Sequence, residues 1–401
     1  MAEFTKEENV MLFKIKTVVF AVFVLVLLAF SVAGACTGLT FSVQDAHGDL
    51  YAFHARTMEF GPDVTGWRLI SVPKGYSYKS CKMGVCGDGI AGFEWKARYQ
   101  HVGMSPARPE LPVLDEVADG INEKGLACGC FYHMGYEQYN DKPRSDKAIA
   151  NTDFVSWVLS NFATVQEVRE ALEQGRVDVA QFTLKVKGRP VCEPGTCPQA
   201  HYAVSDEKGA SIIVEFKGGK AKIFDSVGVI TNNPDYDWHT TNLKNYIGLQ
   251  TLSRDSAVFN GRTYEKLGNG TGSIGLPGDF TPPSRFVRAM FFLNSAMPKV
   301  QSGPDEALGR TFRILNQFDI PEGSIIAASP TGKGQIQDST MWTTVADLKR
   351  KRYYYHSQTS RTVRMVRLDR QPKNVLSVQD LPSEEMILDV SGKFVPVAKK
   401  R

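Results

Sequence analysis

Cysteine 36 follows directly on a segment with the three parts of a secretory signal, and this placement constrains the rest of the chain more than any other feature. Residues 1 to 16 are polar and close with Lys14 and Lys16, Thr17 to Val32 is an almost unbroken apolar run, and Ala33-Gly34-Ala35 is a small-residue cleavage site. Whether translation starts at Met1 or Met11, removal of residues 1 to 35 leaves Cys36 as the first residue of a mature chain, 36 to 401. A thiol and a free α-amine then share one residue, and the amine can take the thiol proton without a second side chain. Two other readings stay open. The apolar run approaches the ~20 residues that span a bilayer, and an uncleaved anchor would keep Cys36 internal. The small residues before Cys36 also resemble a lipoprotein signal, in which sulfur and amine are acylated, although Ala33 stands where such signals usually carry leucine.

No Pro/Ser/Gly-rich linker, repeat or low-complexity tract divides residues 36 to 401, so one domain is expected. A formal net charge of +4 over 401 residues, with Lys and Arg scattered apart from Lys349 to Arg352 and Lys399 to Arg401, gives no footprint for nucleic acid. Setting Cys36 aside leaves six cysteines. In an exported chain, Cys81/Cys86 and Cys192/Cys197 can each close a short loop, whereas Cys128 and Cys130 alternate on one face of a strand and are poorly placed to bond each other. Neither C-x4-C pair has the spacing of a zinc knuckle, and the seven histidines show no ligand spacing near them, so no metal is expected.

The mature chain opens with Thr37 to Val43, a polar turn through His47-Gly48-Asp49, and Leu50 to Phe60, a β-hairpin signal that would put Cys36 at the edge of a sheet. A second hairpin is expected from Asp119 to Tyr132, turning at Asn122 to Gly125. Later strand candidates are Tyr202 to Ser205, Ser211 to Phe216, Ala221 to Asp225, Gly228 to Asn232, Thr340 to Val345, Arg352 to His356 and Arg361 to Leu368. Helical spacing marks Asp153 to Phe162, Trp238 to Leu252, Ser284 to Ala296 and Pro304 to Gln317, and Thr164 to Glu167 reads as a capping box for a helix reaching Leu172. Antiparallel blocks alternating with helix pairs, without a βαβ rhythm, point to an α+β sandwich of two sheets with helices outside.

Five blocks carry a resemblance. Cys36-Thr37-Gly38-Leu39, Arg56-Thr57-Met58-Glu59, Asp119 to Leu126, Thr231-Asn232-Asn233-Pro234 with Asp237-Trp238-His239, and Gly275 to Phe286 together, in that order, resemble the choloylglycine hydrolase family, which contains bile salt hydrolases and penicillin V acylases. The similarity runs from Cys36 to about Leu368. It implies the αββα fold of N-terminal nucleophile hydrolases and cleavage of linear amides without metal or organic cofactor. It also implies Cys36 as nucleophile with its own amine as proton acceptor, Arg56 beside the thiol, and Arg285 in the charge network around Cys36. Glu59 stands where the family most often has an aspartate bonded to that amine. The side-chain amide of Asn232 and the main-chain N–H of Tyr132 would form the oxyanion hole. Tyr132 lies where bile salt hydrolases often have asparagine, which together with export resembles the acylase branch, whose substrates include phenoxyacetyl penicillins and N-acyl homoserine lactones. Conjugated bile salts are the alternative, and a tethered or acylated binding protein of the same fold is the non-catalytic one. The partner is thus a small amide, the membrane is met only through the leader, and the family adds a homo-oligomer, commonly a tetramer. Substrate choice would lie with loops at Gly61 to Trp67 and Phe131 to Tyr139.

Two motifs mislead. Gly270, Gly272 and Gly275 satisfy G-x-G-x-x-G, but no clear buried strand precedes them and Pro277 follows where a helix would run, so a loop is expected. Asn269-Gly270-Thr271 is a formal glycosylation sequon, meaningful only on a eukaryotic secretory route.

Overall fold

The computed structural model describes residues 35–60, 66–80, 85–86, 92–107, 115–186, 189–190, 197–297, 303–328 and 335–384. The leader, the tip of the Gly61 to Trp67 loop, Cys81 and Cys192 lie outside them. Two antiparallel sheets carry the fold. The first runs in the order Val229–Ile230, Cys36–Gln44, Leu50–Phe60, Gln335–Asp347, Arg352–Ser357, Arg364–Arg367, with Ile325–Ala328 also paired to the long fourth strand. The second is ordered Lys220–Asp225, Ser211–Lys217, Ala200–Ser205, Ala127–Tyr132, Asp119–Asn122, His101–Pro106, Trp67–Val72, Ser377–Asp380.

Helices cover the outer faces. Phe154–Asn161 and Val165–Glu173 pack on the second sheet, and Pro282–Ala296 and Pro304–Leu315 on the first. The capping box forms, with Thr164 Oγ1 accepting from the Glu167 N–H at 3.2 Å. The glutamate reaches back to the N–H of Ala163 at 2.7 Å, one residue earlier than in the usual box. Prolines at the first turns of both helices on the first sheet cost nothing, because those amides have no partner inside a helix. This is the expected α+β, αββα architecture.

Three local expectations change. Cys36 opens a strand that is second from the edge, because the chain returns along Val229–Ile230 and pairs Ile230 with Gly38. That return matters, since it delivers residues 231 and 232 to the nucleophile candidate. The helix expected over Trp238 to Leu252 is α-helical only over Tyr236–Asn242 and continues as a 3-10 turn, Leu243–Tyr246. There the Asn245 side chain donates to Asn242 Oδ1 at 3.2 Å. The strand expected over Arg361 to Leu368 spans only Arg364–Arg367, and Ser377–Asp380 follows it in the other sheet. The glycine motif near residue 270 is a loop with a short 3-10 turn, Thr271–Ser273. Cys128 and Cys130 are free thiols, while Cys197 is in a disulfide.

Alternation along the first hairpin decides which side chains meet. Cys36 lies opposite Met58 and Gly38 opposite Arg56, so these four share the face toward the second sheet, while Thr37 faces the helices. Gly38 is glycine for a steric reason, since a Cβ there would stand 2.5 Å from Phe131 Cζ and 2.6 Å from Ile230 Cγ2. In an unhindered strand, Gly→Ala would stabilise. Here overpacking should dominate, and Gly38→Ala should lower stability by about 1–3 kcal/mol in urea or guanidinium unfolding. A variant as stable as the parent would show that the sheets do not close on this position.

Candidate active site

Cys36 is held at three atoms by three different elements. Its sulfur accepts from Arg56 Nη2 at 3.0 Å, its nitrogen donates to Asn232 Oδ1 at 2.7 Å, and its carbonyl accepts from Arg285 Nη1. Arg56 comes from the neighbouring strand, Asn232 from the end of the edge strand, and Arg285 from the first turn of the covering helix. The thiol is almost fully buried at 2 % exposure.

Both arginines are buried, which requires that their charge and donors be answered. Arg56 Nε donates to the Thr57 carbonyl at 3.2 Å and Nη1 to the Cys130 carbonyl. Its guanidinium stands 4.3 Å from the ring centre of Phe131 and 5.1 Å from that of Trp342, so aromatic faces wall it in. Burial works against its charge, yet Cys36, Asp119, Cys130 and Glu59 outweigh that and raise its pKa further. Arg285 bonds Thr37 Oγ1 at 2.9 Å, Asn232 Oδ1 at 2.7 Å and the Phe280 carbonyl at 2.8 Å. Burial pushes it down to about 10, with Glu59 and Cys36 opposing, so it stays charged at neutral pH.

Asn232 is therefore oriented. Its oxygen takes donors from Cys36 and Arg285, and its Nδ2 gives one proton to the Tyr132 carbonyl at 2.8 Å. The structure brings Cys36, Arg56, Asn232, Arg285 and the Tyr132 main chain together. Glu59 joins them differently. Its Oε1 accepts from Thr340 Oγ1 at 2.8 Å and its Oε2 has no partner among the described residues. While Ala35 remains attached, Cys36 has one N–H, and Asn232 takes it. A terminal ammonium has three protons, and the orphaned Oε2 is an acceptor of the right kind for another.

Sequence reasoning missed Thr340 and Asp338, both on the long strand Gln335–Asp347. Asp338 is buried with both oxygens unpartnered among the described residues, and burial lifts it to about 6 against the charge of Arg285. The Tyr132 phenol is pushed up by burial and by Asp338. The sequence offered no signal for Thr340 or Asp338, because their burial and partners appear only once the sheet forms. A Ser205–His54–Asp119 chain also exists, with Ser205 Oγ 3.0 Å from His54 Nδ1 and His54 Nε2 3.3 Å from Asp119 Oδ1. It has the order of a hydrolytic triad, but all three are buried between the sheets and Asp119 also accepts from Thr344 and Tyr353, so it knits the sheets together.

The family model for linear amide C–N hydrolases, choloylglycine hydrolase family, matches residues 36–381. The chain belongs to this family. It is 30% identical over 339 residues to a bile salt hydrolase/transferase of Clostridium perfringens, covering 84% of this chain and 93% of the relative. A penicillin V acylase of Pectobacterium atrosepticum is 28% identical over 361 residues, covering 86% and 85%. Among solved structures, a variant of conjugated bile acid hydrolase from Clostridium perfringens superposes with a TM-score of 0.73 at 28% identity, covering 89% of this chain and all of that one. A penicillin V acylase from Agrobacterium tumefaciens shares the fold, with a TM-score of 0.60 at 24% identity over 84% and 87% of the two chains. This choloylglycine hydrolase family member is an amidohydrolase acting on linear amides.

The Glu59 carboxyl gives the site a pH signature. Burial lifts it from 4.5 to about 8, against Arg285, Thr57, Thr340 and Arg56. The native chain thus keeps a proton that the unfolded chain releases above about pH 4.5. The stability tied to that proton is complete below the unfolded value and is lost as pH rises through about 8. Glu59→Gln in the chain with Ala35 attached should remove that part of the decline, read as a flatter unfolding free energy between pH 5 and 8 than wild type. Parallel slopes would show that Glu59 does not hold the proton.

Proposed function

We propose that this protein is exported, loses residues 1 to 35, and cleaves linear amides with Cys36 as an N-terminal nucleophile. The observation that supports this most is the threefold hold on Cys36, with Arg56 on sulfur, Asn232 on nitrogen and Arg285 on the carbonyl. A nitrogen fixed beside the sulfur is useless to an internal peptide but places an α-amine for proton transfer. Such an amine has an ordinary pKa near ~8, close enough to neutrality to accept a proton and return it.

In this reading the amine takes the thiol proton and Arg56 stabilises the resulting thiolate. The thiolate attacks the amide carbonyl. The tetrahedral oxyanion is met by the second Nδ2 proton of Asn232 and by the Tyr132 main-chain amide. Collapse breaks the C–N bond, the ammonium returns its proton to the departing amine, and a thioester remains on Cys36. Water, deprotonated by the same amine, then releases the acid and restores the thiol. Glu59 and Asn232 Oδ1 orient the amine throughout, and Arg285 steadies the residue from behind.

For the substrate we favour the acylase branch, because Tyr132, whose carbonyl accepts from Asn232, carries an aromatic side chain that burial keeps neutral. Aromatic or alkyl acyl groups such as those of penicillin V and long-chain acyl homoserine lactones suit it, with ring contacts adding about 0.5–1.5 kcal/mol. The names of the Clostridium relatives favour bile salts as the second reading. A homo-oligomer is also part of the proposal. The hairpin of Ser256–Phe259 and Arg262–Glu265 exposes Val258, Phe259 and Tyr264, apolar surface that a second subunit would cover.

Intact mass of the exported protein should place Cys36 at the terminus, and residue 1 or Met11 there would end the maturation model. On that protein, kcat/KM for penicillin V, a long-chain acyl homoserine lactone and glycocholate should favour the first two. Glycocholate better by tenfold or more would move the protein to the bile salt reading. Cys36→Ser should abolish most turnover of the best substrate while preserving the fold, and unchanged hydrolysis would end the nucleophile assignment. Sedimentation should give a particle larger than one chain; a monomer at micromolar concentration would remove the oligomer.

A further inference from the structure

The chemistry above leaves the histidines unused, yet three of the seven, His133, His201 and His239, are buried behind Asn232. Glu215, on the strand beside that of His201, organises two of them. Its Oε1 accepts the N–H of Tyr236 at 2.7 Å and lies 3.5 Å from His201 Nδ1. His201 Nε2 is 3.0 Å from the Thr231 carbonyl. Tyr236 opens the helix Tyr236–Asn242, and within its first turn His239 Nε2 stands 2.9 Å from the Asn232 carbonyl. Two consecutive carbonyls, Thr231 and Asn232, are thus each met by an imidazole, and both imidazoles trace back to one carboxylate.

His239 is the closer of the two to the chemistry. Burial pushes it down to about 4, so the ring is neutral at working pH. With Nε2 facing a carbonyl and Nδ1 without a partner among the described residues, the proton sits on Nε2 and is donated to Asn232. The ring also stacks on Phe286, 4.8 Å away and 11° from parallel, and Phe286 follows Arg285 in the covering helix. One side chain therefore ties the backbone of Asn232 to the helix that supplies Arg285.

A metal reading of His133, His201 and Glu215, whose ligand atoms lie within 4.8 Å of one another, fails on ring geometry. The two imidazoles stack at 4.1 Å and 10°. Nitrogen lone pairs in parallel, separated planes do not converge on one ion at the ~2 Å such a ligand needs.

We propose that His239, supported by the Glu215–His201 pair, is a positioning residue that fixes the peptide plane from which the Asn232 side chain reaches the nitrogen of Cys36. This rests on the reading of Cys36 as nucleophile. The Asn232 side chain satisfies three partners at 2.7–2.8 Å, so a tilt of its backbone breaks several contacts at once. Displacements of about 1 Å at a reacting centre can cost roughly 100-fold in rate.

The test is a matched set on the mature protein. His239→Gln keeps an N–H donor at the position of Nε2, His239→Asn keeps polarity but is one carbon too short, and His239→Phe keeps the flat ring against Phe286 without a donor. Each is read by kcat and KM on the best substrate, by Tm, and by the rate at which iodoacetamide alkylates the Cys36 peptide. We expect His239→Asn and His239→Phe to lose about tenfold or more in kcat with KM within about twofold, and His239→Gln to recover most of that loss. Equal activity in the Asn and Gln variants, at whatever level, would overturn the role, as would losses in all three that follow Tm alone. The alkylation arm separates failures. If Cys36→Ser shows that Cys36 is not the nucleophile, slower alkylation in the Asn and Phe variants than in the Gln variant still reports positioning of Cys36, and identical rates refute it.

Discussion

The contact between the Arg56 guanidinium and the Cys36 sulfur organises this structure. A buried arginine is expensive unless every donor finds an acceptor, and here the acceptors are the Thr57 and Cys130 carbonyls and the sulfur itself. Phe131 from the second sheet and Trp342 from the long strand of the first close on its faces. The two sheets must therefore pack at a fixed separation for the charge to be tolerated. Gly38 is the concession that lets Phe131 approach.

From that contact the other elements acquire their positions. The first hairpin brings Arg56 diagonal to Cys36 by register alone. The crossover at residues 226–230 leaves the second sheet, pairs along the first, and ends with Asn232 at the Cys36 nitrogen. The helix after Pro282 starts where Arg285 can reach through the first sheet to the Cys36 carbonyl. Charge is distributed with some economy: Arg56 and Arg285 remain positive, Asp119 supports Arg56 from within the core, and Glu59 is left as a carboxyl whose second oxygen awaits a donor. An ammonium at Cys36 would supply that donor and a matching charge.

Much of this was legible in the chain. The alternation around the glycine turn between residues 37–43 and 50–60, the Asn122 to Gly125 turn and the proline-led helix at 282 are local signals, and they placed both hairpins and the covering helix. The order of the family blocks supplied Cys36, Arg56, Asn232 and Arg285. What stayed hidden depends on partners far along the chain. Thr340 meets Glu59 across 281 residues, and nothing in either local pattern announces the pairing. Asp338, Glu215 and His201 look like ordinary members of half-exposed strands until the sheet buries them. The helix expected to reach Leu252 stops at Asn242 and passes into a 3-10 turn, although the apolar spacing runs on.

The central claim is that the acyl group passes through Cys36, and trapping it there is the most direct measurement. During steady turnover of the preferred amide, an acid quench followed by peptide mass mapping should find the peptide that begins at Cys36 heavier by the acyl group, as a thioester that hydroxylamine removes. Acylation of another residue, or turnover with the Cys36 peptide never modified even under rapid quench, would contradict the account.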